Sequence, residues 1–402
     1  MKPTRILSLF LALLLLLGSS LSLFGCSSKA TPEQVQESAS DFSVRLFQTV
    51  YQGDEEGNNV LLSPLSVIVA LAMATNGAKG ETLDQMEKVL GLTVDELNDT
   101  FRVLLASLPQ GEKYKLQLAN SVWFTSDGRL TVNDEFLSTL KDSFRADTFR
   151  APFDGSTLRE INAWVKDKTD GMIPEILNEI SPDMVMILVN ALAFDAEWET
   201  LYKESQVRDG TFTREDGTPV AATFLSSTES RFLDDGKATG FIKPYAGGKY
   251  AFVALLPNEG ISLSDYVAWL DGDALSKTLT DAKEITVFTS IPKFEVNYSI
   301  ELRSTLNAMG MTAAFDAGCA DFSGLGTSTE GNIFIDSVLH KTYLSLDERG
   351  TRAGAATAIT YSDGSSLGEY RFVDLDRPFV YVLIETEGNT PLFVGVLNDP
   401  AK

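Results

Sequence analysis

The chain has 402 residues but only one histidine, His340, and two cysteines, Cys26 and Cys319. That scarcity excludes several chemistries. Gly364-Ser365-Ser366-Leu367-Gly368 fits the Gly-x-Ser-x-Gly pattern of a hydrolase with Ser366 as nucleophile. Such a motif needs a strand before it, a helix after it and its histidine later in the chain. Here Glu369 to Val373 reads as a strand and His340 comes earlier. A serine–histidine triad cannot be assembled, so no enzyme is expected. Cysteine and histidine do not cluster at zinc spacing, and there is no phosphate-cradling glycine loop, so neither metal nor cofactor is expected. Positive charge is also short: 33 Lys and Arg face 56 Asp and Glu, for a net charge of −23. An excess of that size argues against nucleic acid or an anionic membrane face as partner and suits a soluble surface.

The N-terminus is different in kind. Met1 to Arg5 is short and basic, and Ile6 to Phe24 is an apolar run broken only by serines and Gly18. This reads as a secretory signal over residues 1–25, although its length approaches that of a transmembrane helix. It ends Leu23-Phe24-Gly25-Cys26, which resembles a bacterial lipobox with Cys26 as the lipid-attachment residue; Phe24 stands where a small residue is usual. An uncleaved anchor is the rival reading. Both put the globular part outside the cytoplasm, at the cell surface or in the periplasm, tethered to a membrane. A lipidated Cys26 leaves Cys319 without a disulfide partner, so stability must come from a core, and 44% hydrophobic residues supply one. Length alone suggests two or three domains. No repeat or internal linker divides the chain, however, and residues 26–34 read as the lipid-attachment cysteine and a short tether.

Thr31-Pro32-Glu33-Gln34 opens a helix with a capping box, and Val35, Ala39, Phe42, Leu46, Phe47 and Val50 share one face of it. Ser63 caps and Pro64 begins a second helix, apolar nearly all round and hence buried, with the run continuing through Asn76-Gly77-Ala78-Lys79-Gly80 to Gln85-Met86. Leu116 to Phe124 alternates as a strand, Thr211 to Pro257 is strand-rich, and a helix is expected from Ser299 to Met309.

The stretch from Leu346 to Pro378 organises the rest. Gly350 to Ile359 has no large side chain except Arg352. Thr351, Ala353, Ala355, Thr357 and Ile359 share one face at period two, and Arg352 falls on the other. This is a loop that could become a strand; read alone, it could equally be a flexible linker.

Asp347-Glu348-Arg349-Gly350-Thr351 with Ala353 to Ala358 resembles the hinge of a serpin, and Asp376-Arg377-Pro378-Phe379 the motif that closes its reactive loop. Further segments match in order: Asn59 to Met86, Ile161 to Ile173, Leu188-Val189-Asn190-Ala191-Leu192-Ala193-Phe194 to Trp198, Ile291-Pro292-Lys293-Phe294 and Phe334 to Lys341. The resemblance implies one domain over residues 35–402 with a mixed α/β fold: a large, mostly antiparallel sheet, smaller sheets and about eight or nine helices, with a reactive loop over residues 348–372. It implies a monomeric suicide-substrate inhibitor of a serine or cysteine protease, whose cut loop inserts as a strand in the large sheet. Glu348, Gly350, Thr351, Ala353, Ala355, Ala356 and Thr357 match the hinge. Ser63, Ser66, Asn190 and His340 match a buried polar cluster that gates the sheet. Trp198, Lys293 and Glu348 match the top of the opening, the last two as an ion pair. Counted from Glu348, the reactive bond falls at Gly364-Ser365; counted back from Pro378 it falls near Leu367, and Asp363 is one step from the first count. Elastase-like or chymotrypsin-like targets are favoured over trypsin-like ones. A non-inhibitory surface or chaperone-like serpin is the alternative, toward which Arg352 points; an adhesin or solute-binding lipoprotein is a third class.

Overall fold

A computed structural model describes residues 30–54, 57–107, 111–181, 183–351 and 369–402. Among them are nine α-helices, two sheets of nine and six strands, and a two-stranded ribbon.

The helix Pro32–Gly53 begins with the capping box read from the sequence: the Thr31 side chain accepts from the Gln34 amide, and the Gln34 side chain accepts from the Thr31 amide. Residues 32–34, expected in the tether, therefore form the first turn of this helix. Pro64–Thr75 is capped by Ser63 and buried on every side, as an all-apolar helix must be. It stops at Thr75 and a separate helix runs from Gly80 to Leu90. The break falls where Gly77 packs so closely that a Cβ there would lie 2.7 Å from that of Leu325. The helix expected from Ser299 to Met309 is shorter than its periodicity suggested. Ser299 to Glu301 belong to the strand Phe294–Glu301, paired along its whole length with Leu339–Leu346, and only Arg303–Ala308 is helical.

The six-stranded sheet runs in the order Phe294–Glu301, Leu339–Leu346, Gly350–Thr351, Met186–Glu197, Tyr114–Thr125, Asp147–Ala151. All neighbours are antiparallel except the last pair. The nine-stranded sheet is built on Val60–Leu62, Thr390–Leu397, Phe379–Glu385, Tyr250–Pro257, Ala238–Pro244, Pro219–Asp234, Lys283–Pro292 and Tyr370–Asp374, with Val207–Thr213 on Pro219–Asp234. The start of the hinge lies in the six-stranded sheet, so the sheet with more strands is not the one the hinge joins.

Met186–Glu197 is buried on both faces and alternates between two cores. Leu192, Phe194 and Ala196 face the main core, which includes the helix Pro64–Thr75. Val189 and Ala191 face a smaller core with Trp123, Phe153, Ile161 and Val165 beneath the helix Gly155–Lys168. This parity turns Asn190 toward Pro64–Thr75 and prepares the polar contacts described next.

Candidate functional site

Two polar regions lie along the line between the strands Leu339–Leu346 and Met186–Glu197. Among the described residues no hydrogen-bonded register joins these strands directly. Gly350 and Thr351 stand between their ends, Thr351 opposite Leu346 on one side and Ala196 on the other, with Gly350 opposite Glu197.

At the hinge, Asp347 makes the turn. Its carboxylate accepts from the amides of Arg349 (2.8 Å) and Gly350 (3.3 Å), and its own amide donates to the Gly350 carbonyl (3.0 Å). Gly350 then passes so close to the neighbouring strand that a Cβ would sit 1.9 Å from the Ala196 carbonyl oxygen. Only glycine fits there. Thr351 follows with 2% of its surface exposed, its hydroxyl 2.6 Å from that of Tyr245. Thr351, matched to the hinge by the resemblance, is thus already seated in the sheet.

Trp198 closes the site from above. Its indole N–H donates to the Asp347 carbonyl (2.9 Å), its amide donates to the Arg349 carbonyl (2.8 Å), and its ring stacks on Tyr245 at 4.5 Å and 8°. The Lys243 ammonium lies over the rings of Trp198 (5.1 Å) and Tyr202 (4.6 Å) and pairs with Glu229 at 2.8 Å, wholly within the protein. Burial works to discharge Lys243, but Tyr202 and Glu229 outweigh it and hold its pKa above the usual value. The Tyr202 amide donates to the Glu348 carbonyl (3.1 Å), and the Glu348 carboxylate meets Lys293 at 2.7 Å. The hydrogen bond from Lys293 lowers the Glu348 pKa.

The lower region is organised by the N-terminus of Pro64–Thr75. The Ser63 amide donates to His340 Nε2 (3.0 Å), and its hydroxyl donates to the Leu392 carbonyl (2.9 Å). The Ser66 hydroxyl donates to Asn190 Oδ1; Asn190 Nδ2 donates to Asn120 Oδ1 (2.6 Å), and Asn120 Nδ2 to the Phe144 carbonyl (2.7 Å). Every side chain in this set is buried. His340 and Asn190, one from each strand, are thus tied to the same helix end by separate bonds. Burial lowers the His340 pKa to about 4. Its Nε2 is an acceptor, so the ring is neutral with its proton on Nδ1.

The structure therefore brings together Ser63, Ser66, Asn190 and His340 in one place and Trp198, Lys293, Glu348, Gly350 and Thr351 in another. Ala353, Ala355, Ala356, Thr357, Asp363, Gly364, Ser365, Leu367 and Cys26 lie outside the described residues. Residues that sequence reasoning missed are Tyr245, Tyr202, Lys243, Glu229 and Asn120. Two carried a signal. Lys243 is a lone charge in Phe241-Ile242-Lys243-Pro244, and Asn120 stands beside Gln117 and Ser121 among the polar residues of the strand-forming run Leu116 to Phe124; a polar group that such a run buries demands a partner.

A family model described as Serpin (serine protease inhibitor) matches residues 37–400. An uncharacterised serpin-like protein of Thermococcus kodakarensis is 32% identical over 354 residues, covering 85% of this chain and 81% of its own. The leukocyte elastase inhibitor of Equus caballus is 30% identical over 391 residues, 92% of this chain and all of its own. Among solved structures, the thermophilic serpin tengpin in its native state is 42% identical with a TM-score of 0.87, over 93% of this chain and 96% of that one. Tengpin in its latent state gives a TM-score of 0.82 at the same identity, over 93% of this chain and 100% of that one.

Proposed function

The chain belongs to the serpin family, and on that premise we propose that it is a suicide-substrate inhibitor of a serine or cysteine protease. One observation carries the reading. Gly350 and Thr351 are wedged between the ends of Leu339–Leu346 and Met186–Glu197, and among the described residues these two long strands have no pairing of their own with each other. After Arg352, the sequence Ala353 to Ala358 has only the small side chains such a position requires.

The protease nucleophile attacks the carbonyl of the bait residue, the peptide bond breaks, and the new amine terminus leaves with the downstream segment. The upstream segment remains as an acyl ester or thioester. From Glu348 to Gly364 is roughly 16 residues, or about 50 Å of extended chain at ~3.3 Å each. Strand addition along that length carries the acylated enzyme across the inhibitor and pulls its active site out of shape before water completes hydrolysis. The free energy is that of strand pairing withheld in the native state, which is then a kinetically trapped fold.

Gly364-Ser365 suits an elastase-like pocket, Leu367 a chymotrypsin-like one and Asp363 an acid-specific one. The relation to a leukocyte elastase inhibitor supports the first. Display on the outer side of a membrane through Cys26 completes the proposal. Incubation with a panel of elastase-like, chymotrypsin-like and cysteine proteases tests it: a denaturant-resistant complex on a gel is expected. Loop cleavage with no complex for every protease would favour the non-inhibitory alternative, for which Arg352 in the hinge speaks.

A further inference from the structure

Large apolar side chains that remain exposed are few among the described residues, and the two most exposed stand together. Phe372 is 65% and Tyr370 45% accessible, both on the strand Tyr370–Asp374, the outermost of the nine-stranded sheet. With half-buried Phe288 on the adjacent strand they make one cluster. Ring centroids lie 5.2 Å apart for Phe288 and Phe372, 5.7 Å for Tyr370 and Phe372, and 6.0 Å for Phe288 and Tyr370.

The surrounding face is polar. Thr286 is opposite Tyr370, Thr228 is opposite Phe288, and Ser290 lies between Ser226 and Asp374. The fold does not need aromatic rings here, since Val373 and Leu375 fix this segment to the core. An isolated exposed ring needs no explanation, but an exposed aromatic cluster on a serine- and threonine-rich face does.

Its position in the chain selects the occupant. Tyr370 lies three residues after Leu367 and five after Ser365, at most about 10 Å and 17 Å of chain. A protease holding any of the candidate bonds sends the residues after that bond out along the leaving-group side of its cleft. The rim on that side then comes down on the strand Tyr370–Asp374.

Tyr370 to Phe372, expected as the end of the reactive loop, are paired strand residues, and we infer that Phe288, Tyr370 and Phe372 form an exosite, a second contact on the sheet beyond the candidate bonds, for a target protease with an apolar or aromatic patch beside the leaving-group side of its cleft. This rests on the inhibitory reading and adds that target choice is made in part by the sheet. Aromatic anchors of this kind commonly dominate an interface.

The test measures association rates of pancreatic elastase and chymotrypsin with the native chain and with the double variant Tyr370→Ser, Phe372→Ser. Melting temperature is followed alongside, with Phe372→Leu as the conservative control. For the protease trapped fastest, a fall of about tenfold is expected, with unchanged stoichiometry, loop cleavage site and melting temperature, and with Phe372→Leu near the native rate. Equal rates overturn the exosite and leave the inhibitory reading standing. Failure of the native chain to trap any protease overturns both. A slower rate accompanied by a lower melting temperature assigns the rings to sheet stability, and a change confined to self-association assigns them to a second copy of the chain; either result overturns the exosite.

Discussion

The hydroxyl groups of Tyr245 and Thr351 lie 2.6 Å apart in a site closed to solvent, and this contact fastens the seated end of the hinge to the residue stacked on Trp198. Burial raises the Tyr245 pKa, so the phenol keeps its proton across the ordinary pH range and remains a donor.

Tyr245→Phe keeps the ring stacked on Trp198 and removes only the hydroxyl. Thr351 then loses its partner in a buried position, at a cost of about 1–3 kcal/mol. Denaturant titration should show that loss, and mild heating should convert the variant to an inactive form sooner. A variant as stable as the native chain would mean that the hydroxyl pair does not hold the hinge.

Thr351→Arg acts more strongly. Because Thr351 is already seated, a charged side chain there must either be desolvated, at several kcal/mol, or push the hinge out of the sheet. Arg352 next door would not meet this penalty on insertion, because period two puts it on the opposite face from Thr351. The bait segment is unchanged, so cutting should continue while trapping fails, and the gel should show cleaved chain in place of complex. If Thr351→Arg still traps protease at native stoichiometry, the role assigned to loop insertion is wrong.

His340 makes stability depend on pH. Its folded pKa of about 4 lies below the 6.5 of an unburied histidine. Between those values the unfolded chain binds the proton and the native chain does not. Its contribution is therefore whole above pH 6.5 and is lost as pH falls toward 4, on the order of 3 kcal/mol. Urea midpoints measured from pH 7 to pH 4 should fall, and His340→Gln should flatten that slope. His340→Ala leaves the Ser63 amide unpaired and should promote polymerisation on mild heating. A variant that stays monomeric and keeps the native pH dependence removes His340 from this role.

Cutting the loop between Thr360 and Leu367 should raise the melting temperature markedly, since the freed segment can complete the strand begun at Gly350. A melting temperature that stays the same or drops after nicking would falsify the trapped-state account.

Much of the architecture was legible because its signals are local. The capping box at Thr31 and Gln34, the Ser63-Pro64 helix start and the alternation from Leu116 to Phe124 each fit within a dozen residues. Misreadings arose where a local pattern was overruled by a distant partner. Ser299 to Glu301 sit beside Leu302, Leu306 and Met309, which have helical spacing, yet Lys341, His340 and Leu339 draw them into a ladder. Of the polar cluster, Ser63, Ser66, Asn190 and His340 were named together through the serpin resemblance. That His340 reaches Ser63 while Asn190 reaches Ser66 and Asn120 depends on the side chains' final arrangement, which no spacing encodes. Tyr245 and Thr351 are separated by 106 residues and meet only when the two sheets pack.

Gly350 has one further effect. Because the Ala196 carbonyl leaves no room for a Cβ at that point, the following chain cannot slide by one position. Gly350 acts like a start codon for the strand: once a cut loop is inserted, period two would put Ala353, Ala355 and Thr357 on the same side as buried Thr351 and Arg352 on the other. A one-residue insertion or deletion just after Thr351 is then a frameshift. It changes no side-chain chemistry, yet it exchanges the inner and outer faces of every residue beyond it, and an inserted residue placed before Arg352 would bring that arginine into the core.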